Sequence, residues 1–191
     1  MNNNPNDTET AKAHGKNWRK WLNHLSGRPD VKGLEIGTFE GESATWMCFN
    51  IFSHPLAEYI CVDPFTGNEE HKIGGVDCSR LEERATAALL PFPQCRIIKA
   101  LSGETLPGLD HEFDFVYVDG AHDAMNVLRD SVMAFEILKP GGILVWDDYE
   151  WTVMPNANDR PKPAIDAFLG IYAGHIQVLE PKGWQVACKK L

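Results

Sequence analysis

The sequence lacks the signals of several protein classes. It has no block of lysine or arginine, and its formal net charge is −9 over 191 residues. Because a nucleic-acid groove needs clustered positive charge, this balance predicts no nucleic-acid partner. No apolar run reaches the length of a membrane span, so we expect no membrane partner either. The opening segment MNNNPNDTET is polar and has no signal-peptide core, which predicts a cytoplasmic protein with a disordered tail over residues 1–9.

Cysteine is sparse and shows no pairing pattern. The five cysteines have no CxxC spacing, and their number is odd. We therefore expect reduced thiols that belong mostly to the core. The chain also shows no internal repeat, no low-complexity tract and no signal of a second domain. Its length predicts a single domain over residues 10–191.

The chain does contain short apolar strands that alternate with amphipathic helices. The segments VKGLEIG, EYICVD, CRIIKA, FDFVYVD and ILVWDD predict five strands, and HIQVLE with WQVACKK predicts a terminal hairpin. Helices are expected at 10–26, 42–52, 125–138 and 165–172, and after a capping box at Ser79 and Glu82. This order predicts an α/β, Rossmann-like fold: a mostly parallel sheet with helices on both faces and a C-terminal antiparallel hairpin.

Acidic residues recur where the predicted strands end. Four of the first five strands end at or near Glu35, Asp63, Asp119 and Asp147. In open α/β sheets, ligands bind beyond the carboxyl ends of the strands. The sequence therefore predicts a ligand site at this edge of the sheet.

The turn after the first strand, EIGTFEGES, differs from the dinucleotide-binding pattern GxGxxG. Its glycines Gly37 and Gly41 are four residues apart, which suits a smaller anionic group such as an amino-acid carboxylate near a helix N-terminus. Asp63 is positioned to accept hydrogen bonds from both hydroxyls of a ribose. Structural roles remain open for Gly37 as a turn residue, for Ser43 at a helix start and for Asp63 in a turn.

In this order, the segments LEIGTFEGESA, CVDPF, ALSGETLP, FDFVYVDGAHD and LKPGGILVWDDY resemble the class I S-adenosylmethionine-dependent methyltransferases. The resemblance extends from about Lys32 to the C-terminus. It implies a seven-stranded sheet and S-adenosylmethionine as cofactor. By this resemblance, Glu35, Gly37 and Gly41 line the methionine end, Asp63 binds the ribose and Ser102 lies near the adenine. The other cofactor-binding residues that it implies are Thr38, Ser43 and Asp119.

Methyl transfer to a hydroxyl needs a base, a metal ion or both, because the hydroxyl is protonated at neutral pH. Asp119 ends the fourth strand, and Asp147 and Asp148 end the fifth, so their carboxylates are candidate ligands of Mg²⁺, Mn²⁺ or Ca²⁺. Neighbouring strand residues point to opposite faces, so Asp147 and Asp148 converge only if the strand breaks there. His122, three residues after Asp119, is the candidate base.

This block resembles the metal-dependent O-methyltransferases of the catechol and caffeoyl-CoA types. It is more similar to the macrolide-sugar and cephalosporin-hydroxylase-associated types, because an acidic pair replaces Asp-Asn. Structural roles remain open: Asp119 or Asp123 as a helix cap, and His122 as a surface residue. Asp130 is expected in a structural salt bridge. Tyr149 and Trp151 either wall an acceptor pocket or serve only in packing.

We therefore expect an S-adenosylmethionine-dependent methyltransferase that acts on a hydroxyl of a small molecule. Two alternatives remain: a protein that binds this cofactor without methyl transfer, and a nicotinamide-dependent oxidoreductase, which the missing GxGxxG disfavours. The loop over residues 65–78 is expected to close over the site. The acceptor pocket is either open or completed by a neighbouring subunit of a homo-oligomer.

Overall fold

A computed structural model of the chain describes residues 4–67, 71, 75–110, 112–180 and 183–191. The strands form one seven-stranded sheet in the order β3-β2-β1-β4-β5-β7-β6. Their bounds are β1 Lys32–Ile36, β2 Glu58–Val62, β3 Cys95–Ile98, β4 Phe113–Val118, β5 Leu138–Trp146, β6 Ile176–Leu179 and β7 Val186–Lys190. The first five strands pair in parallel, and β7 pairs antiparallel with both β5 and β6. The predicted fold class is confirmed, including the terminal hairpin.

Helices cover both faces of the sheet, as expected for parallel strands joined by crossovers. Those of the described chain are α1 Glu9–Leu22, α2 Glu42–Asn50, α3 Leu81–Leu89, α4 Ser102–Thr105, α5 Ala124–Ile137 and α6 Pro161–Ile171. One apolar cluster lies between α1, α2 and the sheet, and a second lies between α5, α6 and the opposite face of the sheet. Successive strand residues alternate between the two: Tyr117 and Val145 pack in the first, Val118 and Trp146 in the second.

The N-terminal region has described structure from residue 4 onward. A 3₁₀ helix covers Pro5–Asp7, and Thr8 caps α1 by accepting a hydrogen bond from the Ala11 N–H at 3.1 Å. The α-helix ends at Leu22, and a short 3₁₀ turn continues it to Leu25, one residue before the predicted end at 26. Residues 4–9 of the expected tail are thus structured, and residues 1–3 lie outside the described chain.

One local prediction about a helix start is wrong. The N-cap of α3 is Arg80 without a side-chain cap, because Asp77 accepts the Ser79 N–H instead; the expected capping box at Ser79 does not form. The helix expected over residues 125–138 forms as α5: Val127 and Phe135 face the core, and Met125 in the first turn is 84% exposed. The KPGG segment lies inside β5, directly after the helix.

The structure also bears on two expectations from composition, one about the cysteines and one about membrane-spanning segments. Cys48, Cys61 and Cys188 are buried, Cys78 and Cys95 are half-buried, and none of the five forms a disulfide. Among the helices of the described residues, none has both the length and the apolar character to cross a membrane.

Candidate functional site

A cleft of about 570 Å³ opens at the carboxyl ends of the central strands. Its walls come from the turns after β1, β2 and β4, with α1, α4 and α5 at the sides. Six of the predicted cofactor residues line it: Gly37, Thr38, Ser43, Asp63, Ser102 and Asp119. His122 lines it as well, whereas Glu35, Gly41, Asp147 and Asp148 do not.

Gly37 allows two turns of the cleft to touch. A Cβ atom at this position would lie 2.1 Å from the Asp119 carbonyl oxygen and 2.6 Å from the Gly120 Cα. Its φ of +87° also belongs to the left-handed region that favours glycine. Gly37 therefore brings the turn after β1 against the turn after β4, and a bound ligand would meet backbone from both.

Asp63 braces the turn after β1. Its Oδ2 accepts hydrogen bonds from the N–H groups of Thr38 at 2.8 Å and Phe39 at 2.9 Å. Its Oδ1 accepts one from the Phe65 N–H at 2.6 Å. Three backbone N–H groups thus stabilise the negative charge of this carboxylate. The same hydrogen bonds fix its position against the turn. Sequence reasoning gave Asp63 a ligand contact but missed this bracing role.

Glu35 lies inside the protein beneath the cleft. It is fully buried, and its carboxyl accepts hydrogen bonds from Ser43 Oγ at 2.5 Å and Tyr59 Oη at 2.9 Å. Burial raises the pKa of Glu35 to about 8, although the two hydroxyls act in the opposite direction. Glu35 ties β1 to α2 and β2, and its distance from the cleft surface follows from strand alternation.

The remaining predicted residues at this end differ in their exposure to the cleft. Thr38 is a lining residue of the cleft, and within the described chain its buried Oγ1 has no hydrogen-bond partner. Gly41 instead caps α2 with φ +84° and packs 3.5 Å from the Ala85 Cα atom, measured from a Cβ built on it. Gly41 therefore serves helix packing.

At the other end of the cleft, Ser102 pairs with Asp130. Ser102 Oγ donates a 2.7 Å hydrogen bond to Asp130 Oδ1, and both residues are buried. Burial raises the pKa of Asp130 to about 6. The expected salt bridge is present only as a long contact, 3.9 Å from Arg129 Nε to Asp130 Oδ1. Asp130 is thus a cleft residue that the sequence analysis assigned only to structure.

An acidic cluster joins the cleft at the ends of β4 and β5. Asp119, His122 and Asp148 each offer a ligand atom within 4.8 Å of the other two. His122 Nε2 lies 2.9 Å from Asp148 Oδ2 and 3.6 Å from Asp119 Oδ1. Burial raises the pKa of Asp119 well above its usual value, and the charges of Asp147 and Asp148 raise it further, while His122 lowers it.

Asp147, a predicted metal ligand, faces away from this cluster. It accepts a hydrogen bond from the Tyr117 hydroxyl, lies 3.3 Å from Gln185 Nε2 and lies 3.7 Å from His14 Nε2 of α1. Burial raises its pKa, and nearby His14 lowers it. The expected triad of Asp119, Asp147 and Asp148 therefore does not converge: Asp119 and Asp148 lie together beside His122, and Asp147 lies apart from them.

The backbone explains why the two neighbouring aspartates diverge. Asp147 continues the alternation of β5 and faces the α1 side with Tyr117. Asp148 has φ +58°, which ends the strand and turns its carboxylate toward His122. The other two non-glycine residues of the described chain with positive φ, Phe39 and Phe65, follow β1 and β2 at the same edge of the sheet. Backbone strain is thus concentrated at the edge of the sheet that carries the cleft, as is typical of functional sites.

The structure also places the other residues that were given roles near the cluster. Asp123 caps α5 by accepting the Asn126 N–H at 3.0 Å, so it is Asp123, and not Asp119, that starts this helix. Trp151 contacts the His122 ring at 5.3 Å. In the predicted closing loop, residues 68–70 and 72–74 lie outside the described chain, and His71 stacks on Phe39 at 4.9 Å beside the cleft.

A known relative matches part of the chain. An uncharacterized protein of Acanthamoeba polyphaga mimivirus is 28% identical over 143 residues, which cover 69% of this chain and 59% of the relative. The chain therefore spans less than two thirds of the length of that protein.

Solved structures share the fold. An O-methyltransferase from Bacillus cereus, in complex with SAH, superposes with a TM-score of 0.65 and 16% identity, over 92% of this chain and 81% of the other. TomG, an O-methyltransferase from Streptomyces achromogenes involved in tomaymycin synthesis, was solved in complex with SAM. It gives a TM-score of 0.62 and 18% identity, over 95% of this chain and 87% of the other. Likeness at this identity establishes the architecture.

A family model described as a methyltransferase domain matches residues 34–149, which is more than half of the chain and includes the turns of the cleft and the acidic cluster. The chain belongs to this methyltransferase family, and its fold is that of the class I S-adenosylmethionine-dependent enzymes.

Proposed function

We propose that the protein transfers a methyl group from S-adenosylmethionine to a hydroxyl of a small molecule, with help from a divalent cation. One observation carries the proposal: Asp119 and His122 line the same cleft as the predicted cofactor residues. Acid-base groups and a nucleotide-sized cleft are thus adjacent, as methyl transfer to a hydroxyl requires.

The residues of the cleft fit the cofactor. The buried Thr38 hydroxyl has no partner within the described chain, and Gly37 lets the turns after β1 and β4 meet, so backbone from both lines the cleft. Asp63 holds the turn after β1 and lines the cleft, where its carboxylate would accept hydrogen bonds from the ribose hydroxyls. Ser102 and Asp130 would supply a buried hydroxyl and a buried carboxylate for the adenine base of the cofactor.

The acidic cluster fits a divalent cation. The carboxylates of Asp119 and Asp148 bring negative charge together and would hold the cation, with the His122 imidazole beside them. Carboxylate oxygens suit Mg²⁺ or Mn²⁺. When bound, the cation would stabilise negative charge on the acceptor oxygen, and the cofactor would supply an electrophilic methyl group.

His122 has the position of the base. Its Nε2 lies 2.9 Å from Asp148 Oδ2, so that carboxylate can orient the ring and stabilise its protonated form. His122 would accept the proton of the acceptor hydroxyl, while the cofactor would supply the methyl group and leave as S-adenosylhomocysteine. The cleft walls would hold the two reacting atoms in line, which is worth about 7–11 kcal/mol in well-oriented reactions.

Charge supports a small acceptor over a nucleic acid. The chain carries a net charge of −9, and the cluster itself adds carboxylates where an acceptor would approach. A polyphosphate backbone would be repelled from such a surface. The acceptor is therefore a small hydroxylated compound in this proposal.

Two measurements test the function. Calorimetric titration with S-adenosylhomocysteine is expected to give saturable one-site binding, and Asp63→Ala is expected to weaken it. Transfer of labelled methyl from S-adenosylmethionine to a panel of hydroxylated compounds is expected to depend on added Mn²⁺ or Mg²⁺ and to stop with a chelator. Binding without transfer to any acceptor class would favour a cofactor-binding protein. Tight binding of a nicotinamide cofactor instead would contradict the proposal.

A further inference from the structure

A second groove, of about 350 Å³, is lined by Trp151, whose ring lies against the His122 ring of the acidic cluster. It is formed by the segment after β5 and the start of α6. Trp151 belongs to both regions, because it lines this groove and its ring contacts the His122 ring at 5.3 Å. A ligand seated in the groove would therefore border the residue next to the candidate base.

Two cationic side chains line the groove, Lys162 and Arg160, and they differ in whether a nearby carboxylate neutralises their charge. Lys162 is paired: its Nζ lies 3.8 Å above the Tyr149 ring and 3.5 Å from Asp166 Oδ2. Asp166 also accepts a 2.7 Å hydrogen bond from the Tyr149 hydroxyl, so these three groups satisfy one another. Lys162 therefore helps to shape the wall and adds little net charge to it.

Arg160 differs, because its guanidinium is held by neutral groups. Its Nε donates to the Met154 carbonyl at 2.8 Å, and Nη2 lies 3.5 Å from the Pro155 carbonyl. Within the described residues, no ion pair joins Arg160 to a carboxylate, and Arg160 is only half-buried. Its positive charge is thus fixed in position, and it is unbalanced in a protein with an excess of acidic residues.

We propose that this groove is the acceptor subsite, and that it takes a ring compound carrying both the reacting hydroxyl and a carboxylate or similar anionic group. The flat side of the ring packs against Trp151, the anionic group pairs with Arg160 and the hydroxyl points toward His122. Glu150, an exposed acid that also lines the groove, opposes a doubly charged ligand. The identity of the ligand as methyl acceptor rests on the proposed function, whereas its binding does not.

Binding of matched acids and neutral compounds tests the subsite without turnover. NMR-detected titrations use the protein saturated with S-adenosylhomocysteine, with protocatechuate against its neutral amide and glucuronate against glucose. In at least one pair, the acid is expected to bind about tenfold tighter than its neutral partner. The pair that shows this preference distinguishes an aromatic acid from a sugar acid. Equal affinity within both pairs would overturn the proposal.

Substitutions identify the residue responsible. Arg160→Met is expected to abolish the preference for the acid, Arg160→Lys to keep part of it, and Arg28→Met, an exposed arginine paired with Asp30, to change nothing. Because Arg160 also holds two carbonyls, a salt titration of the wild type provides a second measurement: the preference should fall as salt rises. A preference that survives both Arg160→Met and high salt contradicts the assignment. If S-adenosylhomocysteine does not bind, the proposed function fails, and the same titrations on the protein alone still test the groove.

Discussion

The two halves of the site treat their carboxylates in opposite ways. At the ends of β1 and β2, Asp63 is surrounded by three backbone N–H groups, and Glu35 by two hydroxyls. At the ends of β4 and β5, Asp119 and Asp148 face each other with His122 between them. The cofactor half therefore uses its acids to build a rigid wall, whereas the second half leaves negative charge for a proton or a cation to compensate.

The largest expected effect is on the rate of methyl transfer and comes from the half of the site that contains His122. His122→Gln is expected to lower the rate of labelled methyl transfer about 10²–10⁴-fold, because the acceptor proton loses its base. The affinity for S-adenosylhomocysteine should change less than about twofold, since the neighbouring wall is unaffected. His24→Gln, an exposed histidine in the turn after α1, is the matched control. An unchanged rate would remove His122 from the mechanism.

In the cofactor half, the buried carboxyl of Glu35 predicts a pH-dependent stability. Its folded pKa is about 8, above its usual value, so folding favours the protonated form. The stabilisation is complete below about pH 4.5 and is lost as the pH rises toward 8, which amounts to a few kcal/mol in order of magnitude. Glu35→Gln cannot titrate, so urea unfolding between about pH 5 and pH 8 should show a smaller loss of stability than in the wild type. Parallel curves for the two proteins would contradict the assignment.

The smallest of these effects concerns the brace. Asp63→Ala removes the acceptor of three backbone N–H groups and is expected to lower the free energy of unfolding by about 2–3 kcal/mol. Affinity for S-adenosylhomocysteine should fall with it, since the turn after β1 loses its support. Asp30→Ala, which removes an exposed carboxylate, provides the control in the same unfolding and calorimetric measurements. If both variants lose the same free energy of unfolding and the same affinity, Asp63 does not support the turn after β1.

Much of the fold could be predicted because most strands are short apolar runs that end at an acid or a glycine. One failure has a local cause: the capping box at Ser79 does not form, because the Asp77 carboxylate accepts the Ser79 N–H that Glu82 would have accepted.

The site was predictable as a set of residues but only partly as an arrangement. Gly37, Asp63, Ser102 and Asp119 meet in one cleft because parallel strands end at one edge. Glu35 instead points inward, where it accepts a hydrogen bond from Tyr59, a residue 24 positions away in the sequence. Which of two adjacent aspartates faces His122 depends on the left-handed backbone of Asp148, and no composition or spacing signals that turn.

The most direct test of the account is Mn²⁺ binding to the wild type and to two neighbouring variants, followed by electron paramagnetic resonance. Asp148→Ala removes a carboxylate of the acidic cluster, whereas Asp147→Asn changes the one that faces Tyr117 and His14. The account predicts that Asp148→Ala weakens Mn²⁺ binding at least about tenfold and that Asp147→Asn changes it less than about threefold. Equal losses in both variants, or no Mn²⁺ binding by the wild type, would contradict it.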